Sequence, residues 1–153
     1  MARSKIKNVR ISGITCCVPE NIFVIDDFRD ELGEKGLAKF KKTTGIKQKH
    51  CCTKEHVITT GDLCFAAAEK LIGELQIDRE TIDAVILVTQ TPDYGIMPAT
   101  ACVLQHRLRL SENCMAYDIN LGCSGYAYGI HTAGAYLQSG YLKRVLLLVG
   151  RCV

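Results

Sequence analysis

No C-x-x-C pair occurs in the sequence although it holds nine cysteines, so zinc-finger and thioredoxin-like chemistry lack their usual spacing. The cysteine count is odd, at least one thiol cannot pair within the chain, and no closed disulfide framework is expected. The opening MARSKIKNVRISG lacks the apolar stretch and cleavage signature of a secretory peptide. That points to a reducing cytoplasm, with thiols free and most cysteines acting as small core residues. Charge of one sign is scarce as well, and a net +3 gives no indication of nucleic acid or any other partner. Long apolar runs are also missing. From Ile119 to Leu142 there is no Asp, Glu, Lys or Arg, but Asn120, Ser124, His131, Gln138, Ser139 and five glycines interrupt the stretch. It suits a buried helix better than a membrane span, which takes about 20 apolar residues.

What is present fits a folded domain. A chain of 153 residues, 48% hydrophobic and 23% charged, can bury about 70% of its unfolded surface. Residues 6–17 alternate Val9, Ile11 and Gly13 on one face and predict an opening strand that ends before Pro19. Asp26 to Thr44 predicts short helices before the Gly45 break, with Lys39, Lys41 and Lys42 crowded at their end. Thr60 is the expected N-cap of a helix whose core stripe is Leu63, Ala67, Leu71 and Leu75. AVILVTQT then reads as a strand buried on both faces, ended by Pro92.

Pro98 is expected at the first position of the next helix, with Ala101, Leu104 and Leu108 on its inner side. The strand CMAYDIN runs through Leu121 and Gly122 to Cys123 and a long helix carrying Ala127, Ile130, Gly134 and Leu137; KRVLLLVG gives the last strand. Strands alternating with helices imply an α/β layered fold, largely parallel.

Cys123 stands apart from the other cysteines because it joins a strand end, flanking glycines and a helix start. A helix start presents free N–H groups and the positive end of the dipole, which favour thiolate. Gly122 and Gly125 let backbone and substrate approach closely. The uncharged helix behind can be buried whole, fixing the sulfur at the bottom of a pocket. The competing structural reading is one more small buried residue at a turn. Cys16 and Cys17 lie in a strand, Cys64 and Cys102 on helices, and Cys51 and Cys52 form a vicinal pair beside His50.

The pattern DIN-x-x-C-x-G-x-x-Y-G resembles the nucleophile segment of the ketoacyl-acyl-carrier-protein synthase III family. TGIKQKH, from Thr44 to His50, resembles that family's TGI loop, and the AVILVTQTPDYGIMPATA segment and VLLLVG strand follow in the same order. The resemblance implies a thiolase-like layered fold, of which residues 1–153 form the amino-terminal half: a mixed, largely parallel five-stranded sheet flanked by helices. The carboxy-terminal half would be absent from this chain. It also implies a cytoplasmic homodimer with no metal or redox cofactor and no membrane insertion.

The implied reaction is ping-pong acyl transfer in fatty acid biosynthesis. Cys123 would accept an acyl group from acyl-CoA for decarboxylative condensation with malonyl on acyl-carrier protein, its backbone N–H contributing to an oxyanion hole. Met97 would bound the acyl pocket near the dimer interface, and Gly122 and Ser124 would line the substrate's path. The family draws a histidine and an asparagine from its second half, and His50, His106 and His131 are not expected to replace them. The tryptophan that often stacks the CoA adenine is missing. Lys39 and Thr43 fall at about the positions of that stack, and Lys39, Lys41 and Lys42 are assigned to phosphates or an acidic carrier protein. Gly150, Arg151, Cys152 and Val153 depart from the family's small residue and acid after that glycine.

Three other readings stay open: a divergent acyltransferase of specialised lipid or polysaccharide metabolism, a non-catalytic thiolase-fold partner subunit, and a redox sensor built on Cys51 and Cys52.

Overall fold

The structure is a computed structural model that describes residues 5–52 and 57–152. Residues 1–4 of the opening segment and Val153 lie outside the described residues. The chain divides into two compact units, Met1–Cys17 with Thr59–Arg151, and Val18–Ile58 with Cys152–Val153.

In the smaller unit, β1 (Ile22–Val24) and β2 (Gln48–His50) pair antiparallel, with Ile22 opposite His50. Between them lies α1 (Arg29–Thr44), which bends at Gly33, where φ is +64°, and ends at Gly45 in the left-handed conformation that glycine adopts without steric cost. Lys41 Nζ holds both oxygens of Asp26 at 2.7 Å, and that contact draws the Asp26 carboxyl below its ordinary range. His50 Nδ1 lies 2.7 Å from the Pro19 carbonyl, a structural tie. Cys52 and Cys152 are bonded through their sulfurs, with Cα atoms 7.1 Å apart, whereas Cys51 is free. The expectation of free thiols is corrected at this pair, whose members are 100 positions apart and share no sequence pattern.

The larger unit is built on a parallel sheet in the order β4-β3-β5, with β3 (Ala84–Thr89), β4 (Met115–Asn120) and β5 (Val145–Val149). Thr89 is opposite Asn120 and Val88 opposite Val149, so the three carboxyl ends lie together. All six residues of β3 are buried, which explains why AVILVT is continuously apolar instead of alternating. Val85 and Leu87 enter a core with Cys64, Ala68 and Ile72 of α2 (Thr60–Glu74) and Ala101 and Leu104 of α3 (Thr100–Arg107). Val88 points the other way, against α4 (Gly125–Ser139).

Several expectations need adjusting. Among the described residues this sheet has three strands, not five, and residues 6–17 form no strand in it. Lys7 N donates to Gln138 Oε1 and Thr15 Oγ1 to the Ala67 carbonyl, so this segment runs against helices rather than a strand edge. The buried stripe of α2 is Cys64, Ala68 and Ile72, one residue on from Leu63, Ala67 and Leu71, and Leu75 is exposed. A one-residue shift turns a helix by about 100°, enough to move the stripe to its neighbour. The N-cap of α2 is Thr59: its hydroxyl accepts from Asp62 N while Asp62 Oδ2 accepts from Thr59 N, each at 3.1 Å. Helix α3 starts at Thr100, two residues past Pro98, because Asp118 Oδ2 and Oδ1 accept from Thr100 N and Ala101 N, both at 2.8 Å. No helix of the described residues is long and apolar enough to cross a membrane.

Candidate active site

Parallel strands gather their carboxyl ends, and ligands of open α/β sheets bind in the crevice beyond them. Here β4 ends at Asn120 and the chain turns sharply: Leu121 N bonds to Ile119 O at 3.0 Å and Gly125 N to Gly122 O at 2.8 Å. The turn leads into the 15-residue α4, whose N-cap is Ser124. Cys123 therefore sits just before the N-cap, one residue outside the position expected for it. The Ser124 hydroxyl makes no capping bond, and Ser124 O instead accepts from Ala127 N at 3.1 Å.

A cavity of about 310 Å³ opens at this place. Val88, Thr89 and Gln90 form one wall from the end of β3, and Val149, Gly150 and Arg151 form another from the end of β5. Leu121, Gly122 and Cys123 supply the turn, and Tyr126 extends over it from α4. The lining mixes aliphatic surface with a few polar groups, the usual make-up of a small-molecule site. Cys123 is exposed, and the sulfur lies in an open depression, not at the bottom of an enclosed pocket.

The expectation that α4 is buried whole is likewise corrected. Its buried residues are Gly125, Gly129, Ala133 and Gly134, of which Gly125 and Gly129 meet the sheet and Gly134 meets Ile6, while Tyr126 and Tyr128 remain exposed. A methyl on Gly125 would lie 2.5 Å from Val88 Cγ1, and one on Gly129 would lie 2.8 Å from Val88 Cγ2, so the helix backbone rests directly on β3. A strip of small residues is narrow, which leaves the larger side chains outside it. Ile130 and Leu137 are half-buried and Ala127 is exposed.

Of the other sequence-predicted residues, Gly122 lines the cavity, and neither Ser124 nor Met97 does. Met97 is 80% exposed in the loop after β3. Lys39 and Lys42 are exposed on α1, and Lys41 is engaged by Asp26. His106 and His131 are exposed, and neither lines the cavity. Among the described residues no group of three His, Cys, Asp or Glu is placed to hold a metal ion.

Sequence reasoning missed Gln90. Its signal was positional: it follows Thr89, which is in register with Asn120, so the residue after one strand meets the turn after the other.

The loop between β3 and α3 is fixed at both ends. Asp93 accepts from Thr59 Oγ1 at 2.8 Å and from Gly61 N at 3.0 Å, and Asp93 N donates to Thr100 Oγ1 at 3.0 Å. Beneath the site, burial raises the Cys64 thiol to about 12, with the charges of Asp93 and Cys17 adding to the shift. Cys64 is thus an inert core thiol, whereas Cys123 is open to reagents.

Comparison with known proteins gives a consistent picture. The sequence model of 3-oxoacyl-(acyl-carrier-protein) synthase III matches residues 117–152. A putative 3-oxoacyl-(acyl-carrier-protein) synthase 3 of Campylobacter jejuni is 37% identical over 97% of this chain, which spans 42% of that protein. The crystal structure of a 3-oxoacyl-(acyl-carrier-protein) synthase from Burkholderia xenovorans is 40% identical, with a TM-score of 0.80 over 86% of this chain and 37% of that one. A 3-oxoacyl-(acyl-carrier-protein) synthase III from Xanthomonas oryzae, 21% identical, shares the fold with a TM-score of 0.83 over 96% of this chain and 44% of its own. The α/β fold is thiolase-like, and the chain spans less than half the length of these relatives.

Proposed function

We propose that the chain, which is similar to the amino-terminal part of 3-oxoacyl-(acyl-carrier-protein) synthase III proteins, carries the acyl-accepting site of such a condensing enzyme. One observation carries the reading: an exposed thiol, Cys123, stands at the gathered ends of three parallel strands, just before the N-cap of a long helix. In acyl transfer by a cysteine the thiolate is the nucleophile, and an exposed thiol is open to the acyl donor.

In the proposed reaction the Cys123 thiolate attacks the carbonyl carbon of an acyl-CoA thioester. A carbon–sulfur bond forms to Cys123, and the bond to CoA breaks. CoA leaves as a thiolate and takes up a proton. The Cys123 N–H is available to the developing oxyanion. Malonyl on acyl-carrier protein then loses carbon dioxide, and the resulting carbanion attacks the acyl group, returning the thiolate and releasing a 3-oxoacyl product.

Two further parts of this reading concern assembly and docking. Ile96 and Met97 are 93% and 80% exposed, and Tyr126 and Tyr128 are exposed too, as expected of side chains covered in a homodimer. Exposed Lys39 and Lys42 are the proposed contacts for phosphate or an acidic carrier protein.

The test is incubation with a radiolabelled short acyl-CoA, comparing wild type with Cys123→Ala. Label bound covalently to wild type and lost in Cys123→Ala supports the assignment. A folded wild-type protein that takes up no label would overturn it.

A further inference from the structure

We infer that Gln90 is a specificity-determining residue that gives the Cys123 cavity a preference for acyl groups bearing a hydrogen-bonding substituent, such as a hydroxyl, close to the thioester. This rests on the reading of Cys123 as the acyl acceptor. The carboxamide of Gln90 is pressed against the residue preceding the nucleophile: a methyl on Gly122 would lie 2.8 Å from Gln90 Oε1 and 3.7 Å from its Nε2. Cys123 and Gln90 line the same cavity, so a group joined to the sulfur shares that cavity with the amide.

Besides Cys123, four polar side chains line the cavity, Thr89, Gln90, Tyr126 and Arg151, and they are not equivalent. Tyr126 is more than half exposed on α4 and carries its one hydroxyl at the far end of the ring, away from its backbone. The Thr89 hydroxyl is already used, accepting from Thr91 N at 3.0 Å, and Thr91 in turn reaches Thr60 at 2.9 Å. Arg151 brings a positive charge and would select a carboxylate. Gln90 is exposed and its amide makes no hydrogen bond among the described residues, which leaves one acceptor and two donor hydrogens open. Around it stand the aliphatic surfaces of Val88, Leu121 and Val149, which suit hydrocarbon. A carboxamide both gives and receives hydrogen bonds, the pattern that matches a hydroxyl. A plain alkyl chain bound there would cover the amide and leave it unpaired, and sites built to hydrogen-bond a substrate reject analogues lacking the group far more strongly than sites that only fill volume.

The experiment measures the rate of Cys123 acylation, by intact mass, with butyryl-CoA, 3-hydroxybutyryl-CoA and succinyl-CoA, donors whose acyl chains have the same number of carbons. Wild type is expected to favour the hydroxylated donor by about tenfold or more. Gln90→Leu should bring that ratio close to one, and Gln90→Asn, which keeps the amide but draws it back, should fall between. Alkylation of Cys123 by iodoacetamide at the wild-type rate in both variants reports that the turn is intact. A ratio unchanged in Gln90→Leu, or no preference in wild type, overturns the inference while leaving Cys123 as the acyl acceptor. A preference for succinyl-CoA moves recognition to Arg151 and also overturns it. Failure of all three donors to acylate wild type would remove the underlying assignment together with this one.

Discussion

Helices α2 and α4 are the same length, 15 residues, and cover opposite faces of the same central strand, yet they do so by opposite means. Helix α2 stands off from the sheet on side chains, with Cys64, Ala68 and Ile72 sharing one core with Val85 and Leu87 of β3 and Leu146 and Leu148 of β5. Helix α4 has its glycines there, so backbone approaches strand directly and Val88 fills the gap between them. The first arrangement makes a core, and the second makes a site. A helix that lies this close to the sheet keeps the start of its first turn level with the strand ends, where Cys123 opens into the cavity. Its larger side chains, Tyr126 and Tyr128, are left facing outward.

The sharpest contrast lies between the thiol on α2 and the thiol in the turn before α4. Burial raises the Cys64 thiol to about 12 and shields it, so at pH 8 it is held as the unreactive thiol. Mass-spectrometric mapping after a short iodoacetamide pulse at pH 8 should find Cys123 modified and Cys64 untouched, with Cys64 labelled only after the chain is unfolded in urea. Equal labelling at pH 8 would erase the distinction.

Next in size is the side-chain core. Ile72→Ala should cost about 2–5 kcal/mol in urea unfolding, because a buried aliphatic is removed where the surroundings close only partly.

Two glycines should then respond with opposite sign. Gly129→Ala pushes a methyl to 2.8 Å from Val88 and 3.0 Å from Leu147, and is expected to cost about 1–3 kcal/mol. Gly73→Ala, on α2 with nothing within 4 Å, should stabilise by about 0.4–1 kcal/mol. The smallest contrast concerns the caps: Thr59→Ala should lose about 0.5–2 kcal/mol. Ser124→Ala should change thermal stability little, since its hydroxyl caps nothing.

Much of this was legible in the residues. The continuous apolar run of β3 and the inner positions Ala101, Leu104 and Leu108 of α3 are found where periodicity put them, because burial on one or both faces leaves a pattern of its own. The place of Cys123 between β4 and α4 was legible because strand end, glycines and helix start coincide in one short segment.

What escaped depends on distant partners. Leu63 and Cys64 offer equally good stripes until α3 chooses between them. Thr59 and Thr60 compete as caps until Asp62 and Asp93 engage Thr59. A glycine-paved helix such as α4 reads as wholly buried because it carries no charge, although lack of charge equally describes a face that stays open. Gln90 had no local signal, since its place in the cavity comes from strand register.

The first residue of the DIN triplet invites reading as a catalytic acid, yet Asp118 caps α3 through Thr100 and Ala101. At its other end the same loop is tied down by Asp93 on Thr59 and Gly61. The stretch 94–98, Tyr-Gly-Ile-Met-Pro, is therefore a tethered insert between two fixed staples, neither of which involves Cys123. For an engineer the stretch is a bounded handle: substitutions at Ile96 or Met97 change the face proposed for the homodimer while touching neither staple.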